Sequence, residues 1–184
     1  MYILAILGSR NPDGQTARAT DALLKGAASK GATSDKIFLP ACQLERCRQC
    51  EDNGWGLCRT EGRCVIDDDF AAITEKLRAA DLVVFANPVY FCGLSESLHA
   101  YLNRLGRIGW IRENARPGIQ NKPVVGIAVA GGGGAGSYEC VRRMRMIFGT
   151  CRFDVVDIVP ARRQNLDAKC RALEATGEWL MDRG

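Results

Sequence analysis

Along the chain, short apolar runs alternate with stretches whose apolar residues recur every three or four positions. The runs cover residues 2–7, 36–39, 82–86, 124–130 and 155–159. The first, third and fourth are nearly unbroken in Ile, Leu, Val, Phe and Ala, the pattern of parallel strands buried on both faces. Between them, Ala19, Leu23 and Ala27 share a helical face that Gly31 is placed to end. Phe70, Ile73, Leu77 and Ala80 form a second face behind an N-cap among Asp67, Asp68 and Asp69. Leu98, Tyr101, Leu102 and Leu105 give a third stripe, and Val141, Met144 and Phe148 a fourth. Leu166, Cys170, Leu173 and Leu180 give a fifth. Strands alternating with helices predict an α/β fold built on a five-stranded parallel sheet.

No linker, repeat or low-complexity tract breaks the pattern, so residues 1–184 are expected to form one domain. Five strands and five helices suit a doubly wound sheet of order 2-1-3-4-5, the flavodoxin-like order. That order opens a crevice at the carboxyl ends of strands 1 and 3. The loops leaving them, residues 8–15 and 87–93, should carry the chemistry.

Composition narrows the classes. With 47% apolar and 25% charged residues the chain is ordinary globular protein. No apolar run approaches the roughly 20 residues that span a bilayer. Residues 2–7 lack a basic lead and a small-residue cleavage site, so they read as a strand rather than a signal peptide. A net charge of +4 without blocks of like charge does not suggest a nucleic-acid surface. The nine cysteines are the unusual feature. An odd count without an export signal points to a reducing, cytoplasmic compartment rather than a disulfide framework.

The loop after strand 1 runs Gly8-Ser9-Arg10-Asn11-Pro12-Asp13-Gly14-Gln15-Thr16 into a helix. Small residues let amides face a ligand, the helix N-terminus adds positive potential, and Ser9, Thr16 and Arg10 supply donors and charge. This outlines a phosphate site. It is not a nucleoside triphosphate loop, because Gln15 stands where that motif needs Lys. A phosphorylation-receiver domain is disfavoured too, since strands 1 and 3 end in Leu7-Gly8 and Ala86-Asn87 without acidic residues. After strand 3 comes Asn87-Pro88-Val89-Tyr90-Phe91-Cys92-Gly93, whose aromatic rings and free amides suit a flat heterocycle. Strand 4 ends in Gly131, Gly132, Gly133, Gly134, Ala135 and Gly136, which satisfies a dinucleotide fingerprint. Beyond the helix that it opens, only one strand and one helix remain, too little for a dinucleotide half-domain, so a loop covering the crevice is expected instead.

Five cysteines, Cys42, Cys47, Cys50, Cys58 and Cys64, fall within the aperiodic residues 40–67 after strand 2. A loop this long needs something to tie it down. Thiolates at these spacings suit zinc or an iron–sulfur cluster, and a one-electron centre beside the crevice's ligand has the more obvious use. Free thiols remain the bland alternative. His99, the one histidine, reads as a structural or partner-facing position, and Arg142, Arg143 and Arg145 read as a solvated face or subunit contact.

In its first loop, in the strand 3 loop and in the Gly131–Gly136 loop, the sequence resembles the NADPH-dependent FMN reductase family. The resemblance implies FMN, with Ser9, Arg10, Gln15 and Thr16 on its phosphate. Asn87, Pro88, Val89, Tyr90, Phe91 and Gly93 would line its ring, with Gly131 and Gly132 covering a third side. The helix after the ring loop departs from the family in carrying His99 where Lys is usual and Asn103 where Asp is usual. The cysteine region is similar to the iron–sulfur flavoprotein branch, which implies a [4Fe–4S] cluster on Cys47, Cys50, Cys58 and Cys64. Its one departure is the seven residues between Cys50 and Cys58, where the branch has two; Cys42 is the reserve ligand. The family further implies a homo-oligomer, dimer or tetramer. The function expected is electron transfer from ferredoxin or NAD(P)H to a small-molecule or protein acceptor, with no side-chain acid, base or nucleophile. Two alternatives stand beside it: an NAD(P)H-dependent FMN or quinone reductase without a cluster, and a non-enzymatic redox carrier or sensor.

Overall fold

The computed structural model describes residues 1–108 and 118–183. Five parallel strands form one sheet in the order β2-β1-β3-β4-β5, as the sequence predicts. They are β1 (Tyr2–Leu7), β2 (Thr33–Phe38), β3 (Leu82–Pro88), β4 (Pro123–Ala130) and β5 (Asp154–Arg162). The helices are α1 (Gln15–Ser29), a single turn α2 (Leu57–Thr60), α3 (Phe70–Ala79), α4 (Glu96–Ile108), α5 (Ser137–Thr150) and α6 (Leu166–Met181).

Alternation along the central strands divides the interior into two cores. Leu4 and Ile6 of β1 and Val83 and Phe85 of β3 face α3, α4 and α5, where Phe148 and Phe153 pack around Phe85. Ile3, Ala5, Leu7, Leu82, Val84 and Ala86 face α1 and α6. Side chains of successive strand residues point to opposite faces, so only strands apolar at every position can serve both cores. The unbroken runs are therefore the three central strands.

The edge strands differ from expectation at their ends. β2 begins at Thr33, three residues before its apolar run, because its first four residues are exposed and pair with β1 from Tyr2↔Thr33 onward. Leu39 leaves the strand for a 3-10 turn, Leu39–Ala41, that contains Pro40. β5 continues past Val159 through Pro160, which a sheet tolerates at its edge.

α1 and α6 pack at backbone contact. A Cβ on Gly177 would lie 2.0 Å from the Leu23 carbonyl oxygen, and one on Gly26 1.9 Å from that of Glu174. Only glycine fits where two helix backbones meet this closely. Gly177→Ala should force the helices apart and cost about 1–3 kcal/mol, read as a lowered Tm.

Candidate functional site: a crevice and a four-cysteine cavity

β1 ends at Leu7, and the amide of the next residue, Gly8, still donates to the Ala86 carbonyl of β3 at 2.8 Å. Gly8 is pressed against the start of α4. An added Cβ would meet Ser95 Oγ at 2.2 Å and Leu98 Cβ at 2.9 Å. The loop then turns on Asn11, whose side-chain oxygen accepts from the Asp13 amide at 2.9 Å while its carbonyl accepts from Gly14. α1 starts behind Gly14 with no side-chain cap and no acidic residue in its first turn. Its first amides thus present an uncompensated positive end, which favours an anion. Arg10 is exposed beside it, Ser9 and Gln15 are partly exposed, and Thr16 is buried.

The second loop is strained in a definite way. Tyr90 and Gly93 exchange backbone hydrogen bonds at 3.2 and 2.8 Å, closing a two-residue turn whose corners, Phe91 and Cys92, have φ of 48° and 59°. Asn and Gly are the usual occupants of such a turn, and left-handed backbone at other residues costs about 1–2 kcal/mol each. The turn holds its aromatic rings outward: Tyr90 is 56% exposed and Phe91 fully so. They do not pack beneath the loop.

Asn87 sets the loop's shape from below. Fully buried, it donates from Nδ2 to the Pro88 carbonyl at 2.7 Å and toward that of Gly93 at 3.3 Å. Its Oδ1 accepts from the Ser95 amide at 2.8 Å. Its amide is thus committed to the loop rather than aimed into the crevice. Cys140 sits under the same turn, its Sγ 3.4 Å from the Gly93 carbonyl, and burial pushes its thiol up to about 11. Val89 extends the ladder, its amide donating to Val129 at 2.9 Å, and Pro88 closes β3 opposite Val129.

Together the two loops frame a cleft of about 580 Å³ whose walls include Gly8, Arg10, Tyr90, Phe91, Gly93 and Arg143. That volume falls within the usual range for small-molecule sites. Ser9, Gln15 and Thr16, on the loop after β1 and at the start of α1, do not line this cleft. The glycine loop after β4 lies alongside. Gly131 has open space around it, Gln164 Nε2 donates to the Gly132 carbonyl at 2.9 Å, and Gly136 abuts Cys92. Arg143 is a cleft residue that sequence reading assigned to a solvated face, since a three-arginine stretch does not show which member turns inward.

The cysteine loop is tied down by the start of α3 and by α4. Asp69 accepts from the Gln43 amide at 2.7 Å, and Asp68 from the Glu45 amide at 2.8 Å. The acidic run predicted to cap α3 is therefore shared: Asp68 Oδ1 also accepts from the Phe70 amide, while Asp69, at the N-cap position, makes no side-chain cap. Arg107 donates to the Gly54 carbonyl at 2.6 Å and lies over the Trp55 ring, with Arg59 also over that ring.

Cys47, Cys50, Cys58 and Cys64 line one cavity, with Arg104 and Arg107 in its wall. Cys42 does not border it. Its Sγ turns toward the Phe38 carbonyl at 3.6 Å, and burial, then Asp69, raise its thiol above the ordinary range. Cys50 is flanked by Gln49 and Glu51, both at positive φ, a backbone strain of the kind that collects at functional sites. Gly56 packs against it: a Cβ there would lie 3.0 Å from Cys50 Cβ. Among the described residues no three His, Cys, Asp or Glu side chains converge closely enough to hold a single metal ion. One ion needs its thiolates about 2.3 Å from a common point. A four-iron cluster would give each thiolate its own iron around a larger centre. The cavity's free volume is about 20 Å³, so taking one up requires the cysteine loop to move outward.

Sequence reading missed Arg104. It lies on α4 among Leu98, Tyr101, Leu102 and Leu105, 1% exposed, paired to Asp68 at 2.6 and 2.8 Å. The signal was a single cation beside an apolar helical stripe, with an acidic run elsewhere to match it.

A doubly wound five-stranded parallel sheet whose first and third strands feed two loops at its switch point defines a flavodoxin-like protein. Residues 1–163 match the model of the NADPH-dependent FMN reductase family, and the chain belongs to that family. It is 33% identical over 132 residues to an iron–sulfur flavoprotein of Methanocaldococcus jannaschii, covering 72% of this chain and 62% of that one. An iron–sulfur flavoprotein of Methanosarcina thermophila is 30% identical over 142 residues, covering 77% of this chain and 70% of that one. The crystal structure of RosB with a bound formylated riboflavin phosphate shares the fold, with a TM-score of 0.73 at 16% identity. That match covers 99% of this chain and 79% of RosB.

Proposed function

We propose that this protein is an FMN-dependent oxidoreductase carrying a [4Fe–4S] cluster on Cys47, Cys50, Cys58 and Cys64. In this reading it passes electrons from ferredoxin or NAD(P)H to a small-molecule or protein acceptor. The observation that carries it is the single cavity bordered by those four cysteines, with Cys42 turned away. Flavin supplies both hydride and single-electron chemistry, and a cluster supplies single-electron chemistry alone.

The residues' part is binding and placement. The first amides of α1, with Ser9, Gln15, Thr16 and Arg10, take the terminal phosphate. Tyr90 and Phe91 offer their faces to the ring, held out by a turn that Asn87 braces. Pro88, Val89, Gly93, Gly131 and Gly132 border the ring through backbone. Arg107 and Trp55 shield the cluster cavity from water. A homo-oligomer, dimer or tetramer, in a reducing cytoplasm is the setting this reading expects. Among the described residues no helix is long and apolar enough to cross a membrane.

Anaerobic purification tests the reading. FMN released by heat, with about four irons per chain and a broad shoulder under the flavin bands, is the expected result. FAD alone, or no flavin from folded protein, defeats the FMN assignment. FMN with brisk NAD(P)H-quinone turnover and no iron leaves the cluster-free reductase. Within the same test, Thr16→Val and Arg10→Ala should each weaken FMN binding about tenfold, the scale of one lost phosphate contact. Unchanged affinity in both places the phosphate elsewhere.

A further inference from the structure

We propose that Arg104 sets the reduction potential of the cluster, by donating a hydrogen bond to the thiolate of Cys64. The inference rests on the cluster reading above. Arg104 is a cation buried to 1% exposure, and every donor it spends is accounted for by geometry. Nη1 donates to Asp68 at 2.6 Å and to the Glu45 carbonyl at 3.0 Å. Nη2 donates to Asp68 at 2.8 Å and to Cys64 Sγ at 3.3 Å. The Phe70 ring lies under the guanidinium, 4.2 Å from Cζ, and fixes its plane. Nε makes no hydrogen bond among the described residues.

A strut between helix and loop would need only the bonds to Asp68 and Glu45. The remaining Nη2 hydrogen goes to a sulfur in the wall of the four-cysteine cavity. Reduction adds one electron to the cluster, with no bond made or broken and no proton moved. Together with its four thiolates, the cluster then passes from a charge of about −2 to about −3. A fixed N–H donor on a ligand sulfur favours the more negative state, so it raises the potential. Asp68 offsets part of the guanidinium's field, but the N–H···S contact acts directly on the ligand. Arg107, in the same wall, donates to the Gly54 carbonyl rather than to a sulfur.

The test is a mediated redox titration of the anaerobic holoprotein, followed by electron paramagnetic resonance, with iron and FMN counted in each sample. The paired variant Arg104→Met/Asp68→Leu removes the donor without stranding either charge in the core. Arg104→Lys keeps a charge but cannot hold Asp68 bidentately and reach Cys64 at once. The expected result is a one-electron reduction constant about tenfold lower, a fall of about 59 mV, with the flavin potential unmoved. An unchanged cluster potential in whichever variant retains its iron overturns the proposal. Loss of iron from both also overturns it, because Arg104 would then build the pocket rather than tune its contents. Iron-free wild-type protein is a different failure, that of the cluster reading itself.

Discussion

Single replacement of Cys47, Cys50, Cys58 or Cys64 by alanine is expected to strip iron from the anaerobically purified protein, whereas Cys42→Ala keeps it. Cys47 and Cys50 are separated by two residues, which lets both thiolates face one group from a single turn of chain. Cys64 is pinned by the Arg104–Asp68 pair beside it, at the entrance to α3. Cys58 is the contested position, because seven residues separate it from Cys50. The structure accounts for the insertion in physical terms. Gly54, at φ 76°, turns the chain, Trp55 is held by Arg107, and the single turn α2 returns Cys58 to the cavity wall. Cys42 lies outside, its thiol directed at the strand it follows. Iron per chain, measured with FMN per chain as an internal control, reads the result. Iron lost with Cys42→Ala but kept with Cys58→Ala would exchange the two in the ligand set. Iron kept in all five variants would remove the cluster.

The sheet was legible because its central strands serve two cores. Ile3 to Leu7 and Leu82 to Ala86 must be apolar at every position, and little else in a sequence looks like that. β2 was harder, since Thr33, Ser34, Asp35 and Lys36 are exposed at an edge and carry no hydrophobic signal. At the crevice, residue type pointed to the two loops, but not to what strains or braces them. The left-handed backbone at Phe91 and Cys92 has no marker in the sequence, because such turns are announced by Asn and Gly. Asn87 looked like a ligand contact by its position at the strand end. Its burial turns it inward, to hold the loop instead. The Arg104–Asp68 pair was least legible of all. Pairing across 36 positions depends on how α3 and α4 pack, and no local pattern carries that information.

That pair also underlies the largest stability effect expected in the molecule. Arg104→Met alone should destabilise the protein by about 3–5 kcal/mol, because it leaves the Asp68 carboxylate buried without its partner. Asp68→Leu in the same chain should restore much of the loss, since a well-packed apolar pair often replaces a buried ion pair at little cost. Asp68 has the sharper pH signature. Burial pushes its carboxyl up, but Arg104 and the amides of Glu45 and Phe70 outweigh burial, and the net result lies below the ordinary 3.8. With the folded value below the unfolded one, the stabilisation is fully present above the ordinary carboxylate range. It disappears as pH falls through the folded value. Urea unfolding of the anaerobic protein at neutral pH, repeated downward into the acid range, separates the contributions. The wild type should lose stability more steeply than the Met/Leu pair once the pH drops below the ordinary aspartate value. Parallel curves for the two would mean that Asp68 titrates alike in the folded and unfolded chain, and that the ion pair does not hold the cysteine loop to α4.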